Sequence, residues 1–412
     1  MELKPGYKMT EVGVIPEDWE VKILGDCAAI YRGGSPRPIE NYLTTSDNGY
    51  NWIKIGDVQQ NEKFIYKTAE KIIKEGVTRS RFVHTGDFLL SNSMSFGRPY
   101  ILKIDGCIHD GWLVIQNYQS SFDTNFLYYL LCSEDILKQY RIKAAGSGVL
   151  NLNKELVASI EVILPSIPEQ QAIAAALSDV DELLSSLDRL IAKKKDIRLA
   201  TMQELLTGKK RLPGFREKWI EKSVAELSEL ENKRIVPSKT PHCHICIELE
   251  HIASKTGRLC GLSDGKLISS IKLYFDKQNI LFGRLRAYLQ KFWYAECSGA
   301  CSTEIWVFKT KKDFVIPKFF YYAIQTKHFI EASSITYGTH MPRSDWNIVK
   351  NVVLSLPSSL AEQQAIASVL SDMDAEIEAL EARREKVRNI KTGMMQELLT
   401  GKTRLISAGK TA

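Results

Sequence analysis

Several things are missing from this 412-residue chain. No apolar run approaches the roughly 18 residues that a membrane helix needs, so a helical membrane protein is excluded. The opening stretch MELKPGYKMTEVG has no apolar signal core, and a cytoplasmic protein is expected. Cysteine is sparse: eight residues scattered over the whole length suit reduced thiols rather than a disulfide framework. Catalytic motifs are also absent. A phosphate-binding loop needs G-x-x-x-x-G-K-[ST]; the nearest stretch, Gly261 to Leu267, has the wrong spacing and no hydroxyl after Lys266. The segment AAGSGVLN lacks the third glycine of a dinucleotide fingerprint. No Asn-Pro-Pro-aromatic or Asp-Pro-Pro-aromatic tetrapeptide is present, so no amino-methyltransferase site is visible. A chain with no catalysis and no bound cofactor of its own is expected. The net charge of +6 permits a nucleic-acid partner without requiring one.

What the chain does have is one stretch written twice. Pro168 to Leu212 and Ala361 to Leu405 align without a gap at an offset of 193, with 23 of 45 positions identical. Two copies at so long a period are a duplicated half-protein and not a solenoid. Ser166 with Glu169, and Ser359 with Glu362, form S-x-x-E patterns, which predict a capping box at each helix start. Gly208 and Gly401 suit left-handed helix stops. Roughly forty residues lie between these signals, about 60 Å of helix.

Apolar residues recur along each copy by fours and threes. In the first they are Ile173, Leu177, Val180, Leu184 and Leu187, then Ile191; in the second, Ile366, Leu370, Met373, Ile377 and Leu380. This is a coiled-coil seam, and each stripe has the other as an evident partner. Charge sets the direction. The first copy carries Glu169, Asp179, Asp181, Glu182 and Asp188 before its basic run begins at Arg189, and the second repeats the order. Only an antiparallel pair sets each acidic half against a basic one.

The segments before the helices, 1–165 and 213–357, are expected to be duplicated globular domains, with helices over 166–212 and 358–405 and a tail over 406–412. Trp19 answers Trp219, Trp52–Val58 answers Cys246–Ile252, and Phe88–Leu90 answers Ile280–Phe282. Tyr128 and Tyr129 answer Tyr321 and Tyr322, and the segment around Gly146 answers that around Gly338. Short β-rich runs plus aromatic helices near 124–140 and 317–331 give an α+β class. The helices are half identical while the globular parts agree only at framework positions. Two domains with one scaffold and different surfaces suit the reading of two different half-targets.

Base-reading candidates are cationic or polar residues in turn-rich segments. In the first half they are Arg32, Ser35, Arg37, Arg79, Arg81, Asn92, Ser95 and Arg98; in the second, Lys239, Arg284, Arg286, Tyr288, His340 and Arg343. Arginine grips guanine and asparagine grips adenine through two bonds in the major groove. The alternative for each is a phosphate contact or a solvated charge. Cys243, Cys246, Cys297 and Cys301 have zinc-compatible spacing, but the first half has no matching cysteines. Buried reduced thiols are therefore the default, and no metal is assigned.

Two variable halves, each followed by a helix ending in MQELLTGK and RL, resemble the specificity subunit of type I restriction–modification systems. The resemblance rests on YKMTEVGVIPEDWEVKIL, LPSIPEQQAIA, MQELLTGKKRLPGFREKW, LPSSLAEQQAIA and MQELLTGKTRL, and spans essentially the whole chain. It implies two target-recognition domains held apart by an intramolecular antiparallel coiled coil. Each domain would read half of a bipartite sequence in double-stranded DNA. The implied partners are two modification subunits that methylate adenine with S-adenosylmethionine, and restriction subunits using ATP and magnesium. No membrane partner is implied. Rival readings are a protein-only scaffold with peptide-binding domains, and a self-contained DNA-modifying enzyme.

Overall fold

The structure, a computed structural model, describes residues 4–58, 62–92, 97–144, 151–337 and 342–406. Ser95, Gly146, Gly338 and His340 lie outside them. The chain divides into two compact units, Met1–Leu187 with Arg383–Ala412, and Asp188–Ala382. Helices Ile167–Leu205 and Leu360–Leu398, each of 39 residues, are both divided by this boundary. Each unit thus holds the first half of one long helix and the second half of the other.

In the first unit the strands Ala29–Arg32, Trp112–Gln116, Phe88–Ser91, Pro99–Leu102 and Phe64–Ile65 form one sheet in that order. A second sheet runs Leu43–Thr44, Glu70–Ile72, Tyr50–Ile53, Gly106–Ile108, Arg81–Val83. Alternation along the strands explains how one sheet serves two cores. Phe88, Leu90, Ile101, Leu113 and Ile115 face the helix Thr124–Leu131, which contributes Phe126 and Leu130. Leu89, Tyr100, Leu102, Trp112 and Val114 face the other way, onto Ile53, Val83 and Ile108 of the second sheet.

The second unit repeats the plan. Ile280, Phe282 and Phe308 meet the helix Pro317–Ala323, while Leu281, Ile305 and Val307 meet Ile247, Leu273 and Cys301. The parallel pair Trp52 with Cys107 is matched by Cys246 with Ala300. The expected aromatic helices are present, each broken in two: Thr124–Leu131 with Glu134–Ala144, and Pro317–Ala323 with Lys327–Ser333.

The repeated stretch fixes the same contacts in each unit. Gln170 Oε1 accepts from the Asp123 amide at 2.8 Å, and Gln363 Oε1 accepts from the Ile316 amide at 2.9 Å. The hydroxyl of Tyr129 donates to Asp181 at 2.8 Å, and that of Tyr322 donates to Asp374 at 2.8 Å. Asp181 also takes Lys391 at 2.6 Å, while Asp374 takes Arg198, the residue 193 positions before Lys391. Lys194 pairs with Glu376 at 2.6 Å and Lys195 with Glu381 at 2.7 Å. As the first residue number rises the second generally falls, so the helices run antiparallel, acidic half to basic half, as the charge pattern predicts. Each such half-exposed pair contributes about 0–1 kcal/mol, so they set register more than stability.

Two expectations need correction. The capping boxes are not closed by their glutamates. Ser359 does accept from the Glu362 amide, at 3.5 Å. Glu362, however, turns its carboxylate to Arg211, which donates from Nε and Nη2 at 2.8 and 2.6 Å. Glu169 likewise accepts from Arg404 at 2.8 and 2.7 Å and from the Trp19 indole at 2.9 Å. Both carboxylates are 0–1% exposed, where an arginine fork offsets desolvation far better than one amide would. The arginines come from the x-R-L that ends the opposite copy, which accounts for both ends of the repeat. The second correction concerns the seam. Ile173 and Leu177 join the globular core of the first unit, and Ile366 and Leu370 that of the second. Beyond them Leu187, Ile191 and Ile377 are buried, and Val180, Leu184, Met373 and Leu380 half-buried. The first three turns or so of each helix therefore lie on a domain.

Gly208 and Gly401 both have φ of +70°, confirming the left-handed stops. A Cβ on Gly401 would lie 2.5 Å from Pro16, and one on Gly208 would lie 3.2 Å from the Trp219 ring. The glycines thus end the helix and admit the aromatic residue that opens the neighbouring domain.

Candidate nucleic-acid interface

Most first-half candidates converge on one turn. His109, Asp110 and Gly111 link the strands Gly106–Ile108 and Trp112–Gln116. The loop after Arg32 folds back onto this turn, with the Gly33 amide donating to Trp112 O at 2.9 Å and that of Gly34 to Ile108 O at 3.2 Å. A Cβ on Gly33 would sit 2.1 Å from the His109 carbonyl oxygen, so only glycine permits the approach. The segment carrying Arg79 and Arg81 arrives from the other side. Ser80 Oγ donates to Ile108 O at 3.1 Å, and Arg81 lies opposite Ile108 in the ladder.

Asp110 holds the group together. Its Oδ1 accepts from Ser35 Oγ at 3.0 Å and faces His109 Nε2 at 3.1 Å; its Oδ2 accepts from Arg37 at 3.3 Å. Its carbonyl oxygen accepts from Arg32 Nε at 3.2 Å and Asn92 Nδ2 at 3.3 Å. His109 Nδ1 accepts from the Gly111 amide at 2.9 Å, which places the ring proton on Nε2, facing the carboxylate. Partial burial would raise the Asp110 carboxyl, but Ser35, His109 and Arg37 together bring it below its usual value. Arg81 stacks over Tyr31 at 4.7 Å and Arg79 over Tyr42 at 5.5 Å. Arg98 lies over Tyr100 at 5.8 Å. Arg32, Arg37, Arg79 and Arg81 share this neighbourhood with the Asp110 carboxylate, so the patch is basic, as phosphate binding requires. Asn92 is 5% exposed and its amide is used within the protein.

The equivalent turn in the second unit carries Ser302, Thr303 and Glu304. The Arg284 amide donates to Glu304 O at 3.0 Å, as the Asn92 amide does to Gly111 O at 3.1 Å. The Ser344 amide donates to Arg284 O at 2.8 Å, as that of Leu152 does to Asn92 O at 2.9 Å. Asn92 and Arg284 therefore hold one structural position with different side chains. Arg343 grips Glu304 through Nε at 2.8 Å and Nη2 at 2.9 Å, and this fork holds the carboxyl below its usual value. Arg286, in the left-handed region at φ 53°, donates its amide to Pro342 O at 2.8 Å. Tyr288 is 54% exposed. Arg284, Arg286, Tyr288 and Arg343 thus belong to one neighbourhood. Lys239 stands on a different short turn, Pro237–Lys239, exposed and beside the Gly265–Leu267 segment.

Sequence reasoning missed His109, Asp110, Glu304, Tyr31 and Tyr42. A search for cations and amides passes over acids, which repel phosphate unless paired. The His-Asp-Gly turn between two apolar strands was the available signal. Cys246 and Cys301 are buried on neighbouring strands, and burial pushes the Cys246 thiol up to about 11. Among the described residues no group of three or more His, Cys, Asp or Glu is placed to hold a metal.

Two stretches, 16–194 and 216–389, match the type I restriction modification DNA specificity domain, once for each copy of the repeated plan. The chain belongs to that family. Among its relatives in the specificity family is the type I restriction enzyme MjaVIII specificity subunit of Methanocaldococcus jannaschii. It is 23% identical, over 95% of this chain and 94% of the relative. The putative MjaX specificity subunit of the same organism is 26% identical over 97% of each. The fold resembles that of the S subunit of a type I system from M. genitalium, with a TM-score of 0.57 at 14% identity, over 97% of this chain and 98% of the other. As a specificity subunit the chain repeats its helix frame in both copies, while the residues of the two turns differ between them.

Proposed function

We propose that this chain reads a bipartite DNA target, one half per unit, and carries the modification and restriction subunits to it without catalysing a step itself. The observation that carries the reading is the contrast between frame and turn. The frame contacts recur at an offset of 193, whereas the turns differ: His109-Asp110-Gly111 against Ser302-Thr303-Glu304, and Asn92 against Arg284. A duplicated fold with divergent surfaces suits two half-sites of different sequence.

Arg32, Ser35, Arg37, Arg79, Arg81 and Arg98 are the DNA-facing residues of the first unit, and Arg284, Arg286, Tyr288 and Arg343 those of the second. Lys239, apart from its cluster, suits a phosphate contact. Asn92 supports the site from within. Ser95 and His340 remain candidates by sequence alone. The methyl donor, nucleotide and magnesium belong to the partner subunits in this reading. Sequencing the methylome of a host with and without this gene tests it. Loss of one split adenine-methylation motif on deletion is the expected result, and an unchanged methylome in a host with active partner subunits would refute it.

A further inference from the structure

We propose that Asp110 and Glu304 are positioning residues that set base specificity, each by presenting arginines to one half of the target. The inference rests on the reading of the two units as DNA-recognition domains. Both acids lie in the same turn of the repeated plan, one residue apart in register, and both direct their carboxylates to arginine. Neither acid was a candidate for contacting DNA, because a bare carboxylate repels phosphate. Paired, it does something else before the DNA arrives: Glu304 holds Arg343 by a two-bond fork, and Asp110 ties Ser35 and Arg37 of the loop after Arg32 to the turn.

The nitrogens left over among the contacts of the described residues show what is presented. Arg343 commits Nε and one hydrogen of Nη2 to Glu304, so its Nη1 and the second Nη2 hydrogen point away from the carboxylate. Arg32 commits Nε to the Asp110 carbonyl oxygen, which keeps both terminal nitrogens as a pair for guanine O6 and N7. Arg37, its side chain 82% exposed, touches Asp110 through a single nitrogen. An arginine already ordered loses less rotamer freedom on docking, and a misplaced base then meets donors that cannot turn to another acceptor. The two units hold different arginines. Asp110 gathers the loop after Arg32, whereas Glu304 gathers Arg343, which lies far along the chain. One turn position can therefore serve different half-sites.

The test uses the full chain with its modification subunits in a host free of other adenine methylation. The wild type, Asp110→Asn, Glu304→Gln, Arg37→Ala and Arg343→Ala are compared by methylome sequencing. Asp110→Asn should relax one or more bases in one half of the motif, and Glu304→Gln in the other, with discrimination falling about five- to a hundredfold. The intact half reports that each variant is folded and assembled. Arg343→Ala should relax the same base as Glu304→Gln, and Arg37→Ala the same base as Asp110→Asn. Strict recognition of both halves by both acid variants overturns the inference while leaving the DNA-reading function standing. Even loss of methylation in Glu304→Gln, with an unchanged motif in Arg343→Ala, also overturns it, because the acid would then be structural. Absence of any split motif in the wild type overturns the reading on which both rest.

Discussion

Replacing Arg404 with alanine should destabilise the first unit and leave the second nearly untouched. Arg404 donates to Glu169 at 2.8 and 2.7 Å and to Asp18 at 2.7 and 2.9 Å. Glu169 is 1% exposed and, among the described residues, would keep only the Trp19 indole as a side-chain partner. Stranding a buried carboxylate in this way costs about 3–5 kcal/mol. Asp18 is half exposed and adds no more than about 1 kcal/mol. At about 2–4 °C per kcal/mol for a unit of this size, the first unit should melt roughly 6–24 °C lower. Hydrogen exchange read by mass spectrometry, run beside thermal unfolding, locates the effect. Protection should fall in 15–30 and 167–177 and persist in 219–223 and 353–370. Arg211→Ala should give the mirror result through Glu362, which is 0% exposed. The double variant Glu169→Gln with Arg404→Met should recover much of the loss, since no buried charge is then unpaired. A shift below about 2 °C for Arg404→Ala, or equal loss in both units, would refute the reasoning.

Other predictions concern length, modularity and pH. Inserting four residues into each long helix adds about 6 Å, which at 3.4 Å per base pair should lengthen the preferred spacer by one or two base pairs. Selection from a library of spacer lengths measures this, and an unchanged preference rejects the helices as a ruler. Exchanging residues 1–165 for those of another family member should alter one half of the methylated motif, and a change in both halves would show that the units do not read independently. Arg404 holds the Asp18 carboxyl low, and Arg343 does the same for Glu304. Because both folded values are depressed, their stabilisation is fully present above the unfolded carboxylate range near pH 4 and is lost as pH falls through the folded values. Melting temperature should therefore be flat from pH 7 to about 5 and drop below it. Glu304→Gln should shrink the acid-dependent part of that drop, and an unaltered profile would count against the pair.

The sequence by itself determined the duplication, the two long helices, their glycine stops and their antiparallel direction. These are legible because helix periodicity, charge order and the 193-residue offset are local or internal comparisons that need no third dimension. It also determined most of the basic candidates, since arginine in a glycine-rich turn is chemically conspicuous. Tertiary structure alone decided what the repeat is for. Glu169 and Glu362 look like capping residues because their spacing fits, yet burial beside an arginine 235 and 151 residues away wins, a carboxylate in a core needing a cation more than a helix end needs an amide. Ile173 and Ile366 look like seam residues because period alone cannot tell a partner helix from a domain core. The His-Asp-Gly turn could be seen in the sequence, but the arginine partners of Asp110 and Glu304 could not. A pairing such as Asp110 with Arg37, or Glu304 with Arg343, is made by the closing of loops and strands distant in the chain, and nothing in the neighbouring residues announces it.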